Sequence, residues 1–126
     1  SNVVKYQDES GVWYQVLDNR RSDNYKESTC SCMFAYSMNK AIKMGYIDEE
    51  TYKPYLLKAV DGIFNEFIRI DGDYAYLKNC CAVAGLGPDD NHRRDGSLDY
   101  YFSEPITEND CKGVGPFLLL ATNYIY

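Results

Sequence analysis

The chain has 126 residues, 45% of them apolar and 25% charged, which fits one globular domain and excludes a disordered chain. Its 13 basic and 19 acidic side chains leave a net charge of −6, a balance that repels phosphate backbones and anionic lipids, so neither nucleic acid nor membrane is an expected partner. No run of 18 apolar residues occurs, so no transmembrane helix is expected. The first residues do not read as a signal peptide, and Ser1-Asn2 reads as a tag scar and is set aside.

Residues 6–23 read as a loop, in which the alternation of Val12, Tyr14 and Val16 suggests a short strand. Asn24 then reads as an N-cap, with Glu27 completing a capping box, and the helix that follows is expected to reach Met44 and stop at Gly45. Residues 28–39 of that helix carry no charge; Cys30, Met33, Phe34, Ser37 and Ala41 share one side, and Ser28, Thr29, Ser31, Cys32 and Ala35 make a small opposite side. A helix without a charged face is buried on most sides. Asp48-Glu49-Glu50 opens the next segment, with Pro54 near the start of a second helix. There Leu56, Leu57, Val60, Ile63, Phe64, Phe67 and Ile68 form a stripe opposite Lys58, Asp61, Asn65, Glu66 and Arg69, the pattern of an amphipathic surface helix.

Asp71-Gly72-Asp73 reads as a turn and residues 74–83 as extended. Residues 84–115, with five glycines and two prolines, read as loop. The last eleven residues, opening on Pro116, read as a charge-free helix. Two nearly charge-free helices flanking one amphipathic helix need more neighbours than 126 residues supply. A larger parent chain or a second copy is therefore an expected partner.

Five cysteines stand at 30, 32, 80, 81 and 111. An odd count with one CxC and one vicinal pair does not read as a secreted disulfide framework, and small buried hydrophobes in a reducing compartment are expected. With no CxxC pair and His92 as the one histidine, neither a zinc site nor any other cofactor is expected. These cues, with the missing leader, point to the cytoplasm.

Two constellations suit a sugar. In GVWYQVLD, Trp13 and Tyr14 offer rings for the C–H face of a pyranose, with Gln15 and Asp18 for its hydroxyls. In RRDGSLDYYFSEPITENDCKGVGP, the residues Glu104, Asn109, Asp110 and Lys112 precede a helix N-terminus, where free N–H groups and a cation suit a carboxylate near Lys112 and Gly113. Paired carboxylates can run glycoside hydrolysis, but in an acidic chain their presence is weak evidence. GLG and GVG lack the surroundings of a nucleotide-binding loop.

The order of GVWYQVLD, NYKESTCSCMFAYSMNKAIKMGYID, CCAVAGLG and RRDGSLDYYFSEPITENDCKGVGPFLLLA resembles the C-terminal part of unsaturated rhamnogalacturonyl hydrolases, glycoside hydrolases of families 105 and 88, over residues 4–121. The resemblance implies an all-α fold, part of an (α/α)6 barrel of six helical hairpins, with residues 1–126 as one C-terminal fragment. It also implies a substrate: unsaturated galacturonyl or glucuronyl residues of pectin-derived oligosaccharides, attacked by hydration of the C4=C5 double bond without cofactor. The family's general acid/base Asp and its Arg-Gly-Asn-Gly-Trp stretch have no counterpart here, so no catalytic residue is assigned and the chain is expected to be inactive alone. By the same resemblance the helix from Asn24 and the Pro116 helix line the barrel's inside. Trp13, Tyr14, Gln15, Glu104, Asn109, Asp110 and Lys112 then become candidates for the cleft wall. The alternative reading is a non-catalytic helical module that binds acidic sugars or assembles with itself.

Overall fold

The computed structural model describes residues 2–88 and 92–125. After a 3-10 turn at Val3–Tyr6 come α1 (Ser28–Lys43), α2 (Glu49–Phe67), β1 (Ile68–Asp71), β2 (Tyr74–Leu77), β3 (Cys80–Cys81), α3 (Leu98–Ser103), β4 (Ile106–Thr107) and α4 (Cys111–Ile125). The fold is mostly helical, as the residue pattern and the resemblance lead one to expect. No helix among the described residues is long and apolar enough to cross a membrane.

Helix α1 begins four residues later than the Asn24 cap predicts. The Asn24 side chain is taken by the preceding loop: its Oδ1 accepts from Val16 N at 3.2 Å, and its Nδ2 donates to the carbonyls of Val16 and Asn19, both at 2.9 Å. Glu27 becomes the cap itself, extended at φ −112°, and its carboxylate accepts from Cys30 N at 2.6 Å. The far end behaves as expected, with Gly45 at φ +70° directly after the Met44 cap.

The face of α1 that is buried is the small one: Ser28, Ser31, Cys32, Ala35, Met38 and Asn39. Met33, on the other side, is 45% exposed. Small residues let a neighbouring backbone come close, and α4 does so through Gly113, where an added Cβ would lie 2.8 Å from Cys80 Sγ and 3.1 Å from Thr29 Oγ1. Gly113 near the start of α4 thus sits on Thr29 at the start of α1, while Lys43 at the end of α1 donates to the carbonyl of Asn123 at the end of α4. The two helices therefore run parallel, and α2 is the return stroke on the other side of α1.

Asp48 caps α2 by accepting from Thr51 N at 2.7 Å. Its buried stripe is Leu56, Ala59, Val60, Gly62, Ile63 and Phe67. Leu57 and Phe64, expected in that stripe, are largely exposed, and Phe64 meets Phe117 of α4 edge-on at 5.8 Å. Both prolines lie further into their helices than expected, Pro54 after Glu49–Lys53 and Pro116 after Cys111–Gly115, and each removes one helical hydrogen bond.

The strand expected at residues 12–16 is a single bridge between Tyr14 and Lys26. Val12 and Trp13 are both fully buried, so the segment has no alternating faces to offer a sheet. This loop crosses α2 at close range: a Cβ on Gly11 would lie 2.0 Å from Lys58 O, and one on Gly62 would lie 2.2 Å from Ser10 O. The extended reading of residues 74–83 holds for β2, which pairs antiparallel with β1 around Gly72, and for β3, whose Cys80 and Cys81 pair with Thr107 and Ile106 of β4. Residues 84–115, expected as loop, also contain α3, β4 and the start of α4. Ser97 caps α3 by accepting from Tyr100 N at 3.1 Å, and Asp95 Oδ1 accepts from Ser97 N at 2.8 Å, so the Asp95-Gly96-Ser97 turn is present as predicted.

Candidate functional site

Because α1 and α4 are parallel, their N-terminal ends lie on the same side of the molecule. Glu27 ties the segments there together. It is 2% exposed, and its two oxygens accept from Cys30 N of α1 at 2.6 Å and from Cys81 N of β3 at 2.9 Å. Its own N–H donates to Trp13 O at 2.9 Å, and its carbonyl accepts from Ser31 Oγ at 2.7 Å. The Ser31 hydroxyl also accepts from Trp13 N at 3.0 Å. Four chain segments thus meet on one buried carboxylate, which no cation in the described residues pairs. Hydrogen bonds from N–H groups replace the missing counter-charge.

The predicted cleft residues divide into two groups. Trp13 and Glu104 are structural. Trp13 has no exposed surface, donates from Nε1 to Val3 O at 2.9 Å and meets the Phe34 ring edge-on at 5.4 Å, so it cannot stack on a sugar. Glu104 is held bidentate by Arg93 at 3.0 and 3.2 Å, and this pairing holds its carboxyl below the usual glutamate range. The Glu104 side chain is only 1% exposed, so it ties the 92–97 loop to α3 and offers nothing to a ligand. His92, in that loop, is exposed.

Asn109, Asp110 and Lys112 lie where the parallel helices open. Asn109 adopts φ +55° and clamps β2, its Oδ1 accepting from Leu77 N at 2.8 Å and its N–H donating to Leu77 O at 2.9 Å. The helix N–H groups that a carboxylate was expected to meet are already taken by Asp110. Its Oδ1 accepts from Lys112 N, and its carbonyl accepts from Gly113 N, both at 2.9 Å. Anion binding at this end would rest on the Lys112 ammonium, which is half exposed and 2.8 Å from Asp110. That contact lowers the Asp110 carboxyl and raises the Lys112 ammonium from their ordinary values.

Tyr14 and Gln15 are partly exposed. Gln15 Nε2 donates to Cys81 Sγ at 3.3 Å, and Cys81 in turn lies within electrostatic reach of Lys112. From Gln15 a groove of about 480 Å³ runs between residues 15–18 and α3, with Tyr6, Leu98 and Tyr101 on its walls. The two tyrosines were not among the predicted site residues. Tyr101 stands in the LDYYF run but shares the groove with Tyr6, 95 positions earlier, only because of the fold.

All five cysteines are unpaired. Burial pushes the Cys30 thiol far up, with the Glu27 carboxylate adding to the effect, and raises Cys32 to about 12 for the same reasons. Both stay protonated near neutral pH and are poor nucleophiles. Among the described residues no three His, Cys, Asp or Glu side chains gather to hold a metal ion.

The profile of glycosyl hydrolase family 88 matches residues 1–126. The chain belongs to that family. A glycoside hydrolase of family 105 from Clostridium acetobutylicum ATCC 824 superposes with a TM-score of 0.90 at 44% identity, over 98% of this chain and 34% of that one. A possible member of family 105 from Klebsiella pneumoniae gives 0.78 at 28% identity, over 98% of this chain and 28% of the other. Protein Atu3128 of Agrobacterium fabrum is 36% identical over 124 residues, 94% of this chain and 53% of its own length. This family 88 chain therefore spans about half the length of the curated relatives and about a third of the solved structures that it matches. Its parallel α1 and α4 with α2 between them in sequence are one stretch of the helical barrel.

Proposed function

We propose that this chain forms one wall of a glycosidase cleft that takes unsaturated galacturonyl or glucuronyl residues at the end of pectin-derived oligosaccharides, and that the reaction is hydration of the C4=C5 double bond. The observation that carries this reading is the family match along residues 1–126, joined to the gathering of Gln15, Cys81 and Lys112 at the N-terminal ends of the parallel helices. In this reading the Lys112 ammonium faces the uronate carboxylate, with Asp110 fixing its position. Tyr14 and Gln15 face the sugar ring and its hydroxyls. Asn109 shapes the wall by clamping Leu77. No residue here is assigned the general acid/base role, so the chain alone is expected to be inactive.

The test is to incubate the pure chain with an unsaturated galacturonyl disaccharide and follow the ultraviolet absorbance of the conjugated double bond. No loss of absorbance is expected, and sustained turnover would overturn the inactivity. Calorimetry with the same disaccharide addresses the cleft: binding at millimolar ligand is expected, and it weakens in Lys112→Ala.

A second reading, a self-assembling helical module, is favoured by α4. Its only charged side chain is Lys112, yet Leu118 is 54% and Leu119 47% exposed. Either the rest of a family barrel or a second copy of the chain would cover that face. A chain that scatters light as a monomer at high concentration would remove this reading.

A further inference from the structure

The geometry points to a second sugar position, for a neutral pyranose, in the groove between residues 15–18 and α3. The inference deepens the cleft reading above and rests on it. Tyr6 and Tyr101 put two aromatic rings on the walls, and such rings favour the C–H face of a sugar. Leu98 adds apolar surface, and Gln15 adds an amide at the end nearest Cys81. Asp18 is the one side chain lining this groove that is charged at neutral pH, and it takes no ion pair among the described residues.

The nearest cations do not alter that sign. Arg21 is engaged by Asp23 at 2.8 Å and Asp99 at 2.5 Å and lies over the Phe102 ring. Lys5 and Arg20 line a separate, more polar hollow beside the groove, where Asp8 and Glu9 accompany them. An unpaired carboxylate accepts hydroxyl donors from a neutral sugar and repels the carboxylate of an acidic one. At the opposite end, beyond Gln15 and Cys81, stands the Lys112 ammonium. The wall is therefore polarised. A uronate sits toward Lys112, and a neutral residue of the same oligosaccharide lies across the tyrosines beside Asp18.

The experiment is an amide chemical-shift titration of the whole chain with two probes that differ only at C6, methyl β-galactopyranoside and methyl β-galacturonopyranoside. The neutral sugar is expected to shift the amides of residues 16–18 and 98–101 saturably at millimolar concentration, and the acidic sugar to shift them about threefold more weakly or worse. Asp18→Asn, a change at the surface, should remove that preference while leaving binding of the galactoside unchanged. Equal binding of both sugars at the groove, an unaltered preference in Asp18→Asn, or no groove shift with either sugar would each overturn the proposal. The signals near Lys112 report separately. Their response to the uronate tests the cleft reading, so loss of one set with retention of the other shows which inference failed.

Discussion

At the scale of single residues, Glu27 and Glu104 show how a carboxylate can be buried for structure in a family whose chemistry runs on carboxylates. Glu27 satisfies the N–H groups of Cys30 and Cys81 at once. Glu27→Ala strands both donors, and a loss of about 2–4 kcal/mol in urea unfolding is expected. Glu27→Gln keeps one acceptor oxygen and should lose less. The Glu104 carboxyl lies below its ordinary 4.5 because Arg93 donates to it. A depressed folded value means that its stabilisation is complete above pH 4.5 and disappears as pH falls through the lower folded value. Acid titration followed by tyrosine fluorescence should therefore show the 92–105 segment loosening below about pH 4, with that step absent in Arg93→Ala. Asn24 teaches the same lesson from the sequence side. Its capping pattern is genuine, but the competing acceptors and donors of the preceding loop occupy the side chain first.

At the scale of elements, two glycines of α4 make a matched pair. Gly113 packs where an added Cβ would meet Cys80 Sγ at 2.8 Å, whereas Gly115 has open space around it. Gly113→Ala is expected to cost about 1–3 kcal/mol through overpacking between α1 and α4. Gly115→Ala should be neutral or stabilising by up to about 1 kcal/mol, since alanine is the better helix former. Thermal denaturation of the two variants checks this, and equal effects would mean that α4 does not approach α1 through Gly113. The sequence pattern located α1 and α2 well because each has a cap and a periodic stripe of residues. It failed on which face of α1 is buried, because small residues signal a close neighbour only once that neighbour is known.

At the scale of the molecule, the apolar surface left on α4 and α2 is the main unbalanced feature. Leu118, Leu119 and Phe64 are each about half exposed, on a chain that spans about a third of the solved structures it matches. Leu118→Lys should change folding stability by less than about 0.5 kcal/mol. If copies associate through α4, the same change should lower the mass seen in light scattering. An unchanged mass would place any association elsewhere.

The residues by themselves determined the helical class, the existence and approximate ends of α1 and α2, the Asp95-Gly96-Ser97 turn and the family. Each of these rests on local periodicity, on capping chemistry or on motifs in order. Only the tertiary structure decided that Trp13 and Glu104 are structural, that Asp110 occupies the helix N–H groups next to Lys112, and that Tyr6 and Tyr101 share a groove. Burial and hydrogen-bond partnership depend on contacts between residues far apart in the chain, and no local pattern encodes which distant group reaches a side chain first.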